Sequence, residues 1–188
     1  MRYDQGAAGN SHAGTHARSR ACGGPACFGR LLLLHRQYRG GCGAPGAILD
    51  ADLCEIIPEE PYTSADLNYS NSESRSQVEQ RDPESRPAIS GTVEGMEDYG
   101  VIFIGYPIWN GAAPRIISTF LESYDLSGKT IIPFCTSGSS GIGSSAEELQ
   151  ELTDGAAWLD GRRFGGNASR AAVESWVSGL EPALPMAA

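Results

Sequence analysis

The sequence predicts an α/β fold in which a doubly wound parallel sheet forms the middle of three layers. Val101–Tyr106 and Thr130–Cys135 are short apolar runs rich in β-branched and aromatic residues, a pattern typical of buried parallel strands. Each run passes into a loop of Gly, Pro or Ser and then into a helical segment. This alternation favours right-handed crossovers and helices on both faces of the sheet.

Three further segments supply the remaining strands. Asp52–Ile57 alternates in polarity as a second strand, and Ala157–Phe164 is a weaker final one. Leu31–Leu34 is the candidate for the first, central strand, although four residues make a short strand. Because a central strand pairs on both sides, its weakness predicts a marginally stable or partly unfolded chain.

Helices are predicted after each of the two clearest loops and near the end of the chain. The first runs from about Arg115 to Tyr124. The second begins near Ser145, which we expect to cap it, with acidic residues in its first turn. Apolar residues at helical spacing predict a last helix ending near Leu180, with Trp176 in the core. A short turn is expected just before the third strand, and a frayed tail from 182 to 188.

The loops that follow Tyr106 and Cys135 leave the carboxyl ends of two parallel strands. In open α/β sheets this edge is where ligands bind. The candidate ligand-binding residues are Pro107, Ile108, Trp109, Asn110 and Gly111 in the first loop and Thr136, Ser137, Gly138, Ser139 and Gly141 in the second.

The run GYPIWNGAAPRIISTFLESYDLSGKTIIPFCTSGSSGIGSS, which begins at Gly105, resembles the bacterial flavodoxin-like proteins that carry a GYPIWWG…PR…TFLE loop and a TSGGSG loop. The resemblance extends from about Ile48 to Leu180 and departs from the family pattern at Asn110 and Ala112. It implies an FMN-binding domain over residues 48–181 with strand order 2-1-3-4-5. By this resemblance, Trp109 would be the platform on which the isoalloxazine ring stacks. The small residues of the second loop would let the backbone approach that ring. The alternatives are that Trp109 packs beneath its loop and that the Gly/Ser run is a flexible connection.

Several other residues are candidates for contacts at the same site. No residue stands out as a proton donor, nucleophile or metal ligand, so no catalytic residue is assigned. Tyr62 and Tyr106 are candidate contacts with the edge of the flavin. Cys135 is expected to be a small core residue. Arg115 could neutralise an anionic ligand, but solvent exposure is the expected role. The polar segment 61–92 is either a lid near the flavin or a solvated linker.

Residues 1–47 do not fit the rest of the chain. A flavodoxin holds the FMN phosphate in a loop close to YFSxTGNT after its first strand, and no such loop follows Leu34. Reading the codons of Leu32 to Tyr38 one nucleotide out of frame can spell YFSTGNT. We therefore hypothesise that this segment is read in a shifted frame, and an unbroken frame on resequencing the locus would contradict the idea. The alternatives are a disordered tail and a zinc site at His12, His16, Cys22 and Cys27.

Charge and composition limit the function classes. The net charge of −9 argues against nucleic acid as a partner, although the first 43 residues carry about +5 and the remainder about −14. The longest aliphatic run has four residues, so no membrane span is predicted. Five cysteines without paired spacing favour a reducing, cytoplasmic compartment.

The sequence therefore predicts an FMN-dependent redox protein. It would transfer electrons to a partner protein, or use NAD(P)H to reduce a small quinone-type acceptor. The alternatives are a flavin-free interaction module on the same fold and a non-functional product of a frame-shifted gene, both suggested by the missing phosphate loop. Whether the protein is an enzyme stays open at this point.

Overall fold

The computed structural model describes residues 51–166, 168–180 and 183–184, together with the backbone of residues 29–35. The residues of the zinc alternative and most of the segment after Leu34, where the phosphate loop is missing, lie outside these residues, as does most of the C-terminal tail. The strands are β1 (Gly29–His35), β2 (Asp52–Pro58), β3 (Ile89–Ser90), β4 (Tyr99–Pro107), β5 (Thr130–Thr136), β6 (Ala157–Trp158) and β7 (Arg162–Phe164).

The strands form a single sheet in the order β3-β2-β1-β4-β5-β6, with β7 also pairing with β5. Every pairing is parallel except that of β2 with the edge strand β3. The helices are α1 (Arg75–Arg81), α2 (Arg115–Glu122), α3 (Ser145–Gln150) and α4 (Arg170–Leu180), with a 3₁₀ turn at Met96–Asp98.

Side chains of the central strands alternate between two cores, one on each face of the sheet. On β4, Ile102, Ile104 and Tyr106 belong to the core beneath α2 and α3. Val101 and Phe103 point to the opposite face, where they meet α4. Strands buried on both faces read as continuous apolar runs, which is why β4 and β5 are clear in the sequence. The predicted three-layer α/β sandwich is confirmed.

The core on the α4 face is mainly aromatic. Trp176 lies edge-on or tilted against Phe103, Phe134 and Phe164, with ring centroids 5.3 to 6.1 Å apart. These separations suit edge-to-face aromatic pairing. Trp176 is only 9% exposed, so its predicted role in the core is confirmed.

Several element boundaries differ from the predictions. The backbone of β1 spans seven residues and lies between β2 and β4, so the central strand is longer than the four leucines suggested. The predicted last strand is divided into β6 and β7, which are separated by residues 159–161. The helix predicted from about Arg115 to Tyr124 ends at Glu122, two residues before its predicted end.

The expectation that Ser145 caps the helix after the second loop is wrong. The residue before α3 is Ser144, and its side chain makes no capping hydrogen bond. Ser145 is the first helical residue and is fully buried. Its hydroxyl instead bonds the backbone oxygen of Ile142 and the hydroxyl of Tyr106, because it faces the core rather than the helix end.

Gly161 allows β7 to pass beside the second loop. A Cβ atom at this position would lie 2.4 Å from Cδ1 of Ile142 and 2.9 Å from the backbone oxygen of Pro133. We expect Gly161→Ala to lower the free energy of unfolding by about 1–3 kcal/mol, the usual cost of overpacking. Urea denaturation measures this. Gly166→Ala, where a Cβ meets nothing within 4 Å, is the matched control and should change the free energy by less than about 0.5 kcal/mol.

Candidate functional site

The first loop turns sharply at Asn110 and Gly111. Both have positive φ, 49° and 87°, and Trp109 and Ala112 exchange backbone hydrogen bonds of 2.9 and 3.0 Å across them. Positive φ at both central positions is the geometry of a type I′ turn, for which Asn-Gly is the preferred pair. Asn110 therefore has a local reason to occupy its position. The turn presents the half-buried indole of Trp109 at the end of β4.

The second loop is attached to β7 by an arginine. The guanidinium of Arg163 donates to the hydroxyl of Ser137 at 3.0 Å and to the backbone oxygens of Ser137 and Gly138 at 2.9 and 2.7 Å. The hydroxyl of Ser137 also donates to the backbone oxygen of Ser140. The beginning of this loop is thus fixed, which is unlike the flexible connection considered as an alternative.

Parallel pairing brings the two loops together. Pro107 and Thr136, the last residues of β4 and β5, lie opposite each other in the register. The amide of Ile108 continues this pairing, donating to the backbone oxygen of Thr136 at 3.0 Å. The predicted adjacency of the two loops at the carboxyl edge of the sheet is therefore present.

The polar segment 61–92, which we call the insert, is folded against the first loop. Its helix α1 places Gln80 so that Nε2 donates to the backbone oxygens of Trp109 and Ala113, at 2.8 and 3.2 Å. Gln77 and Asn110 exchange two hydrogen bonds between their side-chain amides, 3.1 and 2.7 Å long. The insert is therefore attached at both sides of the turn, which contradicts the linker alternative.

Tyr62 joins the insert to the tryptophan. Its ring meets Trp109 edge-on with centroids 5.2 Å apart, and the Arg75 guanidinium lies 4.3 Å from the ring centroid. Its hydroxyl donates to Glu79 at 2.6 Å. Burial, and then the hydrogen bond to Glu79, raise the pKa of Tyr62 well above its usual value. Tyr62 therefore stays protonated and supports Trp109.

Three other side chains were candidates for this site, and the structure places each in a different environment: Tyr106, Cys135 and Arg115. Tyr106 is fully buried in the core beneath α2, so its predicted contact with the edge of a flavin is wrong. Cys135 is also fully buried, as predicted, and burial raises the pKa of its thiol to about 11. Arg115 is half-buried rather than exposed, and its Nη2 donates to the backbone oxygen of Gln80 at 3.1 Å.

The two loops suit a planar, uncharged ring system such as isoalloxazine. Trp109 supplies an aromatic surface. A Cβ at Gly111 or Gly138 would meet nothing within 4 Å, so the backbone there is open to close approach. Neither loop contains a charged residue. Thr136 and Ser137 are half-buried, whereas Ser139 and Gly141 are exposed. These residues fit the ring of FMN, and the segment expected to hold its phosphate lies outside the described residues.

Sequence reasoning missed Gln77, Gln80 and Arg163 as contacts of the site. The segment around α1 has no apolar periodicity, so nothing in it signals a docked helix. The available signal for this contact was the Asn110-Gly111 pair. It predicts a tight turn, and such a turn leaves backbone oxygens open to a hydrogen-bond donor from another segment.

Comparison with known proteins agrees with this architecture. A family model described as flavodoxin matches residues 44–180. A protein of known structure from Bacteroides uniformis, assigned as a flavoprotein, is 41% identical with a TM-score of 0.73, and the match covers 80% of this chain and 99% of that one. A similarly assigned protein from Bacteroides eggerthii is 40% identical with a TM-score of 0.72, covering 81% and 98%. No functionally curated protein matches significantly.

A more distant structure shows the same fold. It is a flavoprotein from Lactobacillus acidophilus, crystallised in complex with FMN, which is 22% identical with a TM-score of 0.54; the match covers 72% of this chain and 93% of that one. The fold and the loop pair thus define a flavodoxin-like protein. The family match over most of its length shows that this chain belongs to the flavodoxin family.

Neither a membrane-spanning helix nor a metal-binding cluster occurs among the described residues. No helix there has both the length and the apolar character to cross a membrane. In the same residues, no group of three or more His, Cys, Asp or Glu side chains is arranged to hold a metal ion.

The side chain of Gln80 holds the first loop through two donated hydrogen bonds. Gln80→Glu keeps the shape of the side chain but turns its donor into an acceptor that faces two backbone oxygens. We expect the free energy of unfolding to fall by about 1–3 kcal/mol, the cost of leaving such groups unpaired. Urea denaturation measures the change. Gln150→Glu, at the exposed end of α3, is the matched control, and an equal loss there would contradict the role of Gln80.

Proposed function

We propose that this protein binds FMN between the Trp109 loop and the Ser137 loop and functions in redox chemistry. The observation that carries the proposal is the pairing of β4 with β5, which sets an aromatic loop beside a small-residue loop at the carboxyl edge of the sheet. In doubly wound folds this edge is the usual ligand site. The FMN complex of the Lactobacillus acidophilus flavoprotein supports the choice of cofactor.

Each part of the site would have a distinct task. Trp109 would stack on the isoalloxazine ring, with Pro107, Ile108, Asn110 and Gly111 shaping its loop. Thr136, Ser137, Gly138, Ser139 and Gly141 would offer backbone and hydroxyl hydrogen bonds to the polar edge of the ring. When bound, FMN supplies the one- or two-electron chemistry, while the protein controls its access and environment.

The acceptor distinguishes two versions of this function. In one, the protein carries electrons to a partner protein. In the other, it uses NAD(P)H to reduce small quinone-type acceptors. The partly buried insert, docked beside Trp109, favours the second version because it narrows access to the site for a large partner. The odd cysteine count supports a reducing, cytoplasmic setting.

An FMN titration of the 188-residue chain tests the proposal. We expect saturable quenching of flavin fluorescence with micromolar or tighter affinity. Trp109→Ala should weaken binding roughly tenfold, about 1.4 kcal/mol, because it removes the stacked ring. Trp109→Phe should restore most of the affinity.

The control for this titration is Trp158→Phe. Trp158 lies on β6 and donates to Thr153, away from both loops, so its replacement should leave FMN affinity unchanged. If Trp109→Ala binds FMN as well as the original chain, Trp109 is not the platform. If a chain shown by circular dichroism to be folded binds no FMN, the flavin-free interaction module is the better account.

Turnover measurements separate the carrier from the reductase. With FMN bound, the reductase should oxidise NADH or NADPH continuously once a quinone is added, which is followed at 340 nm. A carrier should show no such oxidation, yet should pass electrons to a one-electron acceptor after chemical reduction. If adding a quinone does not start continuous oxidation of NADH or NADPH, the reductase assignment is wrong. The proposal that the protein binds FMN is unaffected by that result.

A further inference from the structure

A cleft of about 380 Å³ lies between the insert and the Trp109 loop. We call it the insert cleft. A volume of this size is typical of sites for small molecules. Residues from two parts of the chain line it: Leu67, Tyr69 and Gln77 from the insert, and Ile108, Trp109 and Asn110 from the first loop.

The apolar part of the insert cleft contains two aromatic side chains. Tyr69 lies in a surface turn and is 79% exposed, so its ring is accessible to a ligand. Trp109 lines the same cleft from the opposite segment of the chain, and Leu67 and Ile108 add aliphatic surface. Aromatic rings around an open cleft favour a flat, aromatic ligand, because offset or edge-on contacts stabilise such pairs.

The polar part of the insert cleft is a pair of amides with unused hydrogen-bonding capacity. Gln77 and Asn110 each donate one N–H to the other. A side-chain amide has two N–H donors, so each residue retains one for a ligand. The cleft bears no Asp, Glu, Lys or Arg. It therefore suits an uncharged ligand that carries a carbonyl acceptor rather than an ionic one.

We propose that the insert cleft binds the quinone-type acceptor. A quinone is flat and uncharged, and its carbonyl oxygens accept hydrogen bonds of the kind that Gln77 and Asn110 can donate. Trp109 belongs both to this cleft and to the proposed flavin site, so the acceptor would lie next to the cofactor. The proposal rests on the proposed function for the ligand's role, but the binding itself does not require FMN.

The insert docks where it does because of the contacts that surround the cleft. Gln80 attaches α1 to the backbone on either side of the Asn110 turn, and Tyr62 packs against Trp109. These contacts preform the wall of the cleft that α1 contributes. A preformed wall lowers the ordering cost of binding a small ligand.

Equilibrium dialysis of 2,3-dimethyl-1,4-naphthoquinone against the full chain tests the proposal. Both reactive ring positions of this probe carry methyl groups, so the cysteine thiols cannot add to it. We expect saturable binding without FMN and binding of similar affinity when FMN is saturating. Tyr69→Ala should weaken the affinity at least fivefold, while Tyr69→Phe, which keeps the ring, should stay within twofold.

The control is Val78→Ala, an exposed position on α1 that does not line the cleft. It should leave the affinity for the naphthoquinone unchanged. Because Tyr69 is exposed, its replacement by alanine removes little packing, and circular dichroism with urea denaturation confirms that the variant is folded.

Three results would overturn the proposal. They are no binding of the naphthoquinone, unchanged binding by Tyr69→Ala, and loss of binding when FMN is saturating, which would locate the quinone in the flavin groove instead. If FMN does not bind but the naphthoquinone still binds in a way that depends on Tyr69, the proposed function is wrong and the proposal for the insert cleft stands. If FMN binds but the naphthoquinone does not, the proposal for the insert cleft is wrong and the proposed function stands.

Discussion

The parallel pairing of β4 with β5 is the interaction on which the rest of the molecule depends. These two strands are buried on both faces, and most of their apolar side chains are divided between the two cores. Their carboxyl ends lie opposite each other, and the bond from Ile108 to Thr136 extends the ladder past the strands. The position of both loops follows from this pairing, since each loop begins where its strand is already immobilised by packing.

Each loop is then stabilised by a neighbour that is distant in the sequence. The first loop is shaped by its own Asn110–Gly111 turn, and Gln80 of α1 is the distant residue that holds it in place. The second is fixed by Arg163, whose guanidinium bonds two successive backbone oxygens. Hydrogen bonds to a charged donor are stronger than neutral ones, so Arg163 suits a loop that has no apolar side chains of its own near its start.

The insert has a different role from the core elements. It contributes few buried apolar residues, and α1 is attached to the first loop by hydrogen bonds from polar side chains. An element attached in this way can change its position at a lower cost than a helix packed into the core. The arrangement makes the insert the part of the site best suited to specify a ligand without altering the fold.

The sequence by itself determined the α/β class, the strands β4 and β5, and the two loops that follow them, because continuous apolar runs bounded by glycine and proline have few other solutions. It also placed Trp176 and Cys135 in the core. Only the tertiary structure decided that Tyr106 points inward with Ile102 and Ile104, that Ser145 bonds the core instead of capping a helix, and that α1 docks on the Trp109 turn. The physical reason is the same in each case: these outcomes depend on which face of a strand or helix meets which distant neighbour, and side-chain hydrogen bonds between polar segments leave no periodic signal in the chain.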